Sequence, residues 1–332
     1  MAVLIIGSGL IGSQIARIEV ERGERPVIFE LTPQPDALGE LVDLSKVTIV
    51  QGNVLSPLEL AGVIRSEGIT HIMHTAANAL LTDGAQRNPY PAVELNIMGT
   101  LNVLEAARLF GVQRVVISSS AVLYSSMSPA LEPDSPDKEE ALPRTGTFYA
   151  TTKQTVENLA LNYVSTFNMD VRAVRYAAVF GPWRGRGGGG GATQAIREMV
   201  EHVLREEAAG FPEFPQRIEF IYSKDAALGT VLACHAEGVQ SRVFNIGMGM
   251  AVSSQEIIDT LKQMIPGARV NLIGGRGLAS PQAGGSGGVY AARRSSSMDQ
   301  TRSSTEIKYR PAYDMRAALE DYITFYRGRS AG

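Results

Sequence analysis

The stretch Val3-Leu4-Ile5-Ile6-Gly7-Ser8-Gly9-Leu10-Ile11-Gly12 decides the fold. Four apolar residues run into three spaced glycines, a pattern that reads as strand, tight turn and helix. A second apolar run, Val27-Ile28-Phe29, ends in Glu30. An acidic residue about 20 positions past such glycines is what a dinucleotide site places against the adenosine ribose. Each glycine has a physical use. Gly7 lets the strand turn sharply, Gly9 lets backbone approach a pyrophosphate without a Cβ in the way, and Gly12 lets the helix sit close on the sheet. The helix N-terminus then offers unpaired N–H groups to phosphate. Glu30 would accept ribose hydroxyls and repel a 2′-phosphate, which favours NAD over NADP. The competing view of Ala2 to Leu10 as the apolar part of a secretory signal lacks a basic n-region and would put glycines inside the h-region.

Outward from this stretch, short β-branched runs alternate with helical patterns. Strands are expected at 2–6, 26–30, 47–51, 70–74, 113–118 and 171–176, and helices near 11–22, 57–67, 91–110 and 147–167. Near-continuous strand hydrophobicity, as in Val115-Val116-Ile117, suits strands buried on both faces. The fold class is therefore α/β, with a parallel sheet covered by helices on both faces. After Gly181-Pro182 the pattern changes to Trp183-Arg184-Gly185-Arg186 and five glycines, 187–191, which read as a mobile loop. A helix over 192–207 follows. A strand at 217–222, a helix at 224–236 and a strand at 242–246 are expected to return to the sheet. Segment 265–298 is rich in glycine and serine and reads as a second flexible stretch, ordered by ligand. A helix near 313–327 closes the chain.

At 332 residues, with 44% hydrophobic and 20% charged, the composition is that of an ordinary soluble globular protein. No run reaches the ~18 uninterrupted apolar residues of a membrane span. The formal net charge is −3 with no long block of either sign, so no grip on nucleic acid or anionic lipid is expected. Cys234 is the single cysteine, which rules out an intrachain disulfide and makes the cytoplasm the expected compartment. His71, His74, His202 and His235 show no metal-ligand spacing, so no metal is expected.

The sharpest chemical constellation is Tyr149-Ala150-Thr151-Thr152-Lys153. On a helix, positions i and i+4 share a face, so phenol and ammonium point to one place. A neutral phenol with a pKa near ~10 is a poor base at neutral pH. A nearby ammonium favours the phenolate and makes Tyr149 a proton shuttle, while Lys153 keeps donors for a nicotinamide ribose. Ser118-Ser119-Ser120 follow the strand Val115 to Ile117, at the carboxyl end where ligands bind in open α/β sheets. A hydroxyl there can hold a substrate alcohol or carbonyl while the tyrosine moves the proton.

With these motifs the sequence resembles the extended branch of the short-chain dehydrogenase/reductase family, the NAD-dependent epimerase/dehydratase family. His74-Thr75-Ala76-Ala77 resembles its strand-four segment beside the nicotinamide, and Asn96-Ile97-Met98-Gly99-Thr100-Leu101-Asn102 its NxxGTxN helix. Ser118 to Tyr124 resembles its SSSxxxY segment, with the catalytic hydroxyl on Ser120. Tyr149 and Lys153 match YxxxK, and Val179-Phe180-Gly181-Pro182 its V-Y-G-P turn. The resemblance implies Ser120, Tyr149 and Lys153 as the catalytic set. It implies a cofactor site of Gly7, Gly9, Leu10, Ile11, Gly12, Glu30, Asn53, Val54, Thr75, Ala76, Ala77, Asn96, Ser118, Tyr149, Lys153, Tyr176 and Val179. The substrate would meet Ser120, Ala121, Tyr149, Ala178 and Arg184. It also implies a Rossmann-type, doubly wound NAD-binding domain over 1–182, with 217–250 returning to it, and a smaller, discontinuous substrate domain over 183–216 and 251–332. A homodimer through the helices near 91–110 and 147–167 is expected, because the family commonly pairs there.

Several positions depart from the family pattern. The glycine turn is one residue shorter than the branch's usual GxxGxxG. Asn53 stands where an aspartate usually meets the adenine amino group. Ala178 replaces the asparagine of nucleotide-sugar enzymes, and Ile218 the arginine that grips substrate diphosphate; Arg217 is adjacent but on a strand would face the other way. The preferred reading is therefore an NAD-dependent dehydrogenase or reductase acting on a smaller secondary alcohol or ketone. A nucleotide-sugar epimerase or dehydratase with recycled NAD is the alternative, with Arg184 and Arg186 as substitutes for the missing arginine. A third reading, an NAD-binding regulator without turnover, is opposed by the intact Ser120, Tyr149 and Lys153.

Overall fold

The computed structural model describes residues 1–79, 88–124, 136–141, 147–186, 191–214, 217–274 and 297–328. The strand β1 (Val3–Ile6) lies inside a seven-stranded sheet, with β2 (Val27–Glu30) and β3 (Thr48–Gln51) on one side. On its other side follow β4 (His71–His74), β5 (Arg114–Ser120), β6 (Asp170–Tyr176) and β10 (Val243–Ile246). All six pairings are parallel. Alternation along β1 sends Val3 and Ile5 to one face and Leu4 and Ile6 to the other. The first face is covered by α1 (Gly12–Glu21) and α7 (Ser223–His235), and the second by α3 (Pro57–Ser66), α4 (Tyr90–Leu109) and α5 (Phe148–Phe167). This is the doubly wound arrangement, and at ~1.5–3 kcal/mol per buried aliphatic side chain its two cores are the main source of stability. The short α2 (Pro35–Gly39) follows β2. No described helix is long and apolar enough to cross a membrane.

After Tyr176 the chain steps out of this sheet. β7 (Ala178–Phe180) pairs in parallel with β9 (Ile218–Tyr222), and β9 pairs antiparallel with β11 (Ala251–Val252). A separate parallel pair joins β8 (Ala209–Pro212) to β12 (Val270–Ile273). Helices α6 (Ala192–Leu204), α8 (Ser254–Met264) and α10 (Met315–Arg327) enclose a third core with these strands. Its centre is Phe180, with the rings of Phe220, Tyr222 and Tyr322 edge-on at 6.0, 5.5 and 6.1 Å. The short α9 (Thr301–Glu306) packs beside β10.

Three expectations are corrected. Residues 217–222 do not return to the main sheet: Ile218, Phe220 and Tyr222 belong to the third core, and only α7 and β10 return. Ser118, Ser119 and Ser120 do not follow β5 but end it, because pairing with β6 continues to Tyr176. Segment 265–298 is not flexible throughout, since it contains β12, and Met298 bridges Asp137. Of that segment 275–296, and of the glycine run 187–190, lie outside the described residues. α8 is a helix beyond those expected, and its N-terminus carries a capping box, Ser253 with Glu256.

Candidate active site

Gly7 has φ +93°, and a Cβ there would lie 2.8 Å from the backbone nitrogen of Ala76. A Cβ on Gly12 would lie 1.8 Å from the carbonyl oxygen of Gly7, so the helix can start this close to the turn only with glycine. The turn is tied to β2 at two points. Gly7 N–H donates to the Phe29 carbonyl (3.0 Å), and Glu30 Oε2 accepts from Ser8 N–H (2.8 Å) and its hydroxyl (3.1 Å). Glu30 Oε1 accepts Thr32 N–H (3.1 Å). The carboxylate thus shapes the glycine turn as well as facing the crevice.

A cavity of about 590 Å³ opens here at the carboxyl ends of the strands. One end is formed by Gly7, Gly9, Leu10, Ile11, Gly12 and Glu30, with Val54 on the β3 side. Thr75, Ala76 and Ala77 form the floor after β4. Ser118, Ser120, Tyr149 and Lys153 form the opposite end, and Tyr176, Ala178 and Val179 close it where the chain leaves the main sheet. The glycine turn, the acidic strand end and the Tyr149–Lys153 pair fit a dinucleotide. Among the described residues no group of three or more His, Cys, Asp or Glu could hold a metal ion.

Four expected residues lie off the cavity lining. Asn53 Oδ1 accepts Leu55 N–H (2.9 Å) in the turn before α3. Asn96 is buried and bonds both backbone groups of Asn78 (2.8 Å each) and Thr152 Oγ1 (3.1 Å), bracing the wall from behind. Ala121 opens the short turn Ala121–Tyr124 and packs on the core. Arg184 is engaged elsewhere: it pairs with Glu40 (3.0 Å), donates to the carbonyls of Phe325 (3.3 Å) and Tyr326 (3.5 Å), and lies over both rings. The substrate role expected of it is not supported, because its guanidinium joins α10 to the end of α2.

Tyr149 and Lys153 sit in the first two turns of α5, which starts where Thr147 Oγ1 accepts Ala150 N–H (3.1 Å). Lys153 is 4% exposed; its Nζ donates to the Ser118 carbonyl (2.8 Å) and hydroxyl (3.3 Å) and stands 5.7 Å from the centre of the Tyr149 ring. Burial pulls its ammonium down to about 8. Ser120 Oγ accepts Val122 N–H (3.2 Å), which leaves its O–H to donate into the cavity. His74 is held neutral, its pKa pulled down to about 3 by burial and by Lys153. Thr100 gives its hydroxyl proton to the Asn96 carbonyl (2.7 Å), so the His74 Nε2 bonded to Thr100 (3.1 Å) carries the ring hydrogen.

Sequence reasoning missed the buried pair beneath the site. Arg175 donates to Glu157 from Nε (3.0 Å) and more closely from Nη2, and Ser119 Oγ donates to the same carboxylate (2.8 Å). Arg175 Nη1 also donates to the Tyr124 hydroxyl (2.8 Å). Glu157 is four residues past Lys153 on α5, so Arg175 fastens that helix to β6 and Ser119 fastens it to β5. The available signal was Tyr149, Lys153 and Glu157 at i, i+4 and i+8, with an arginine inside the apolar run of β6.

The model of the NAD dependent epimerase/dehydratase family matches residues 3–247. The chain belongs to that family. This family member is an NAD-dependent enzyme with a Rossmann-type fold. The UDP-glucuronate 4-epimerase of Thermodesulfobacterium geofontis is 26% identical over 267 residues, 78% of each chain. Among solved structures, the Thermus thermophilus UDP-glucose 4-epimerase in complex with NAD is similar with a TM-score of 0.80 at 21% identity, covering 99% of this chain and 100% of that one. The L-threonine dehydrogenase of Cupriavidus necator has a TM-score of 0.81 at 23% identity, covering 98% and 99%. Both structures share the fold.

Proposed function

We propose that this family member is a nucleotide-sugar 4-epimerase, acting on a UDP-hexose or UDP-hexuronate with the cofactor returned unchanged. The observation that carries the reading is the convergence of Ser120, Tyr149 and Lys153 on the cavity that also holds the glycine turn. The names of the curated relatives then favour nucleotide sugars over the smaller alcohol preferred from sequence. When bound, NAD supplies the hydride acceptor. Tyr149, favoured as phenolate by the Lys153 ammonium, accepts the proton of the reacting hydroxyl. Ser120 donates its O–H to the same oxygen as it becomes a carbonyl, and holds it in place. Lys153 would hold the nicotinamide ribose through a remaining N–H. In the return step Tyr149 gives the proton back.

A second reading, a dehydrogenase of a smaller secondary alcohol, has its own support. Ile218, at the place of the diphosphate-gripping arginine, is buried in the third core, and Arg184 is engaged away from the cavity. The two readings separate in one experiment. The protein is incubated with UDP-glucose or UDP-glucuronate, and with small alcohols including L-threonine, while NADH absorbance and product sugars are both followed. An epimerase yields the 4-epimer with no net absorbance change. Net NADH from a small alcohol, with no epimer formed, overturns the proposal in favour of the second reading.

A further inference from the structure

Arg186 stands out once Arg184 is accounted for. The turn Trp183 to Arg186 is built to carry it. The buried Trp183 donates its indole N–H to the Arg186 carbonyl (2.8 Å), and a Cβ on Gly185 would fall 2.4 Å from the Trp183 ring, so the turn closes only with glycine there. Gln34, on the loop after β2, then grips the same residue from the cofactor side. Its Oε1 accepts Arg186 N–H (2.6 Å) and its Nε2 donates to the Arg186 carbonyl (3.5 Å). Gln34, Thr32, Glu30 and Arg186 all line the cavity, and the two bonds to Gln34 hold Arg186 on the β2 side, where Glu30 meets the glycine turn. Among the described lining residues the cations are Lys153 and Arg186, and Lys153 belongs to the other end. No described residue bonds the Arg186 guanidinium, which is exposed at the rim.

We infer that Arg186 is a dinucleotide-binding residue, placed by Gln34 so that its guanidinium meets a phosphate of the cofactor's adenosine half. The chemistry fits the charge distribution. The glycine turn offers backbone N–H groups to the pyrophosphate but no cation, and Glu30 adds a negative charge beside it. A guanidinium offsets that charge and makes a charge-assisted bond to a phosphate oxygen. The arginine comes from the segment leading into the third core, so cofactor binding ties that segment to the main sheet. Gln34 acts as a positioning residue, through Arg186.

Full-length protein is titrated with NAD, ADP-ribose, 5′-AMP and adenosine. Arg186→Ala should weaken NAD, ADP-ribose and 5′-AMP by about tenfold, leave adenosine unchanged, and flatten the salt dependence of NAD binding. Arg186→Lys should recover part of the loss, and Gln34→Ala should weaken the same ligands less. Unchanged NAD and ADP-ribose affinity in Arg186→Ala overturns the assignment, as does an equal loss for adenosine. None of these titrations involves the substrate, so the result is independent of whether the protein proves to be an epimerase.

Discussion

At the residue scale the proposed chemistry depends on a phenol that is a poor base alone. General acid–base catalysis contributes typically ~10²- to 10⁴-fold, so Tyr149→Phe should lower turnover by about that much with cofactor affinity nearly intact. Lys153→Met should lower both, since charge and ribose contact go together, and Ser120→Ala should be milder. Turnover by Tyr149→Phe close to that of the parent would leave the family membership standing and refute the role. Lys153 also couples stability to pH. Burial lowers its pKa from 10.5 to about 8, so between those values the unfolded chain holds more protons than the folded one. Stability therefore rises with pH across that window, and below about 8 the burial cost is fully present. Denaturant midpoints of cofactor-free protein at pH 7.5 and 10 should show that rise, and Lys153→Met should reduce it. The positions of Tyr149 and Lys153 were legible because i, i+4 spacing is local geometry. Arg184 was not, because its partners, Phe325 and Tyr326, lie some 140 positions away in the chain.

At the element scale, periodicity alone located the strands of the main sheet, whose both-face burial leaves near-continuous apolar runs. It could not distinguish which sheet a strand joins. Ile218–Tyr222 and Val243–Ile246 read alike, and the difference lies in what packs on them: the aromatic cluster around Phe180 for one, β6 for the other. The paired helices α4 and α5 show a similar division of roles. Val156 is in the core and Leu159 and Val164 pack against it, so those residues serve the protomer. Leu161, Met98, Leu109, Phe110 and Phe167 remain exposed on the same two helices or at their ends, at 38%, 45%, 66%, 43% and 47%. Such a set on adjacent helices suits an interface between copies. We therefore expect a homodimer in sedimentation at micromolar protein, and a folded monomer for Met98→Glu combined with Leu161→Glu. A monomeric parent protein would refute the interface.

At the scale of the whole molecule, the third core must stay in register with the main sheet for the cavity between them to keep its shape. Glu219 on β9 is one of the ties. It is buried, its Oε1 accepts Gly249 N–H (2.7 Å) and its Oε2 accepts Met298 N–H (2.6 Å). The segment holding Met298 is fastened in turn to the main sheet by Asn245 of β10, which donates to the carbonyls of Asp137 (2.8 Å) and Asp299 (3.0 Å). None of this was legible in a segment that reads as glycine and serine, because the anchor is a carboxylate some 80 residues earlier. Burial outweighs the N–H donors and raises the Glu219 pKa from 4.5 to about 7. Between those values the folded protein holds the extra proton, so this group makes stability fall as pH rises through the window. The shift corresponds to about 3 kcal/mol, fully expressed above pH 7. Glu219→Gln cannot ionise, so the loss of unfolding free energy between pH 5 and pH 7.5, measured by denaturant titration, should be smaller by a comparable amount than in the parent protein. It should also be less stable at pH 5, because a carboxamide offers one acceptor oxygen where Gly249 and Met298 present two donors. An unchanged pH dependence in Glu219→Gln would show that the carboxylate titrates at its ordinary value and that the tie between the two sheets costs no buried charge.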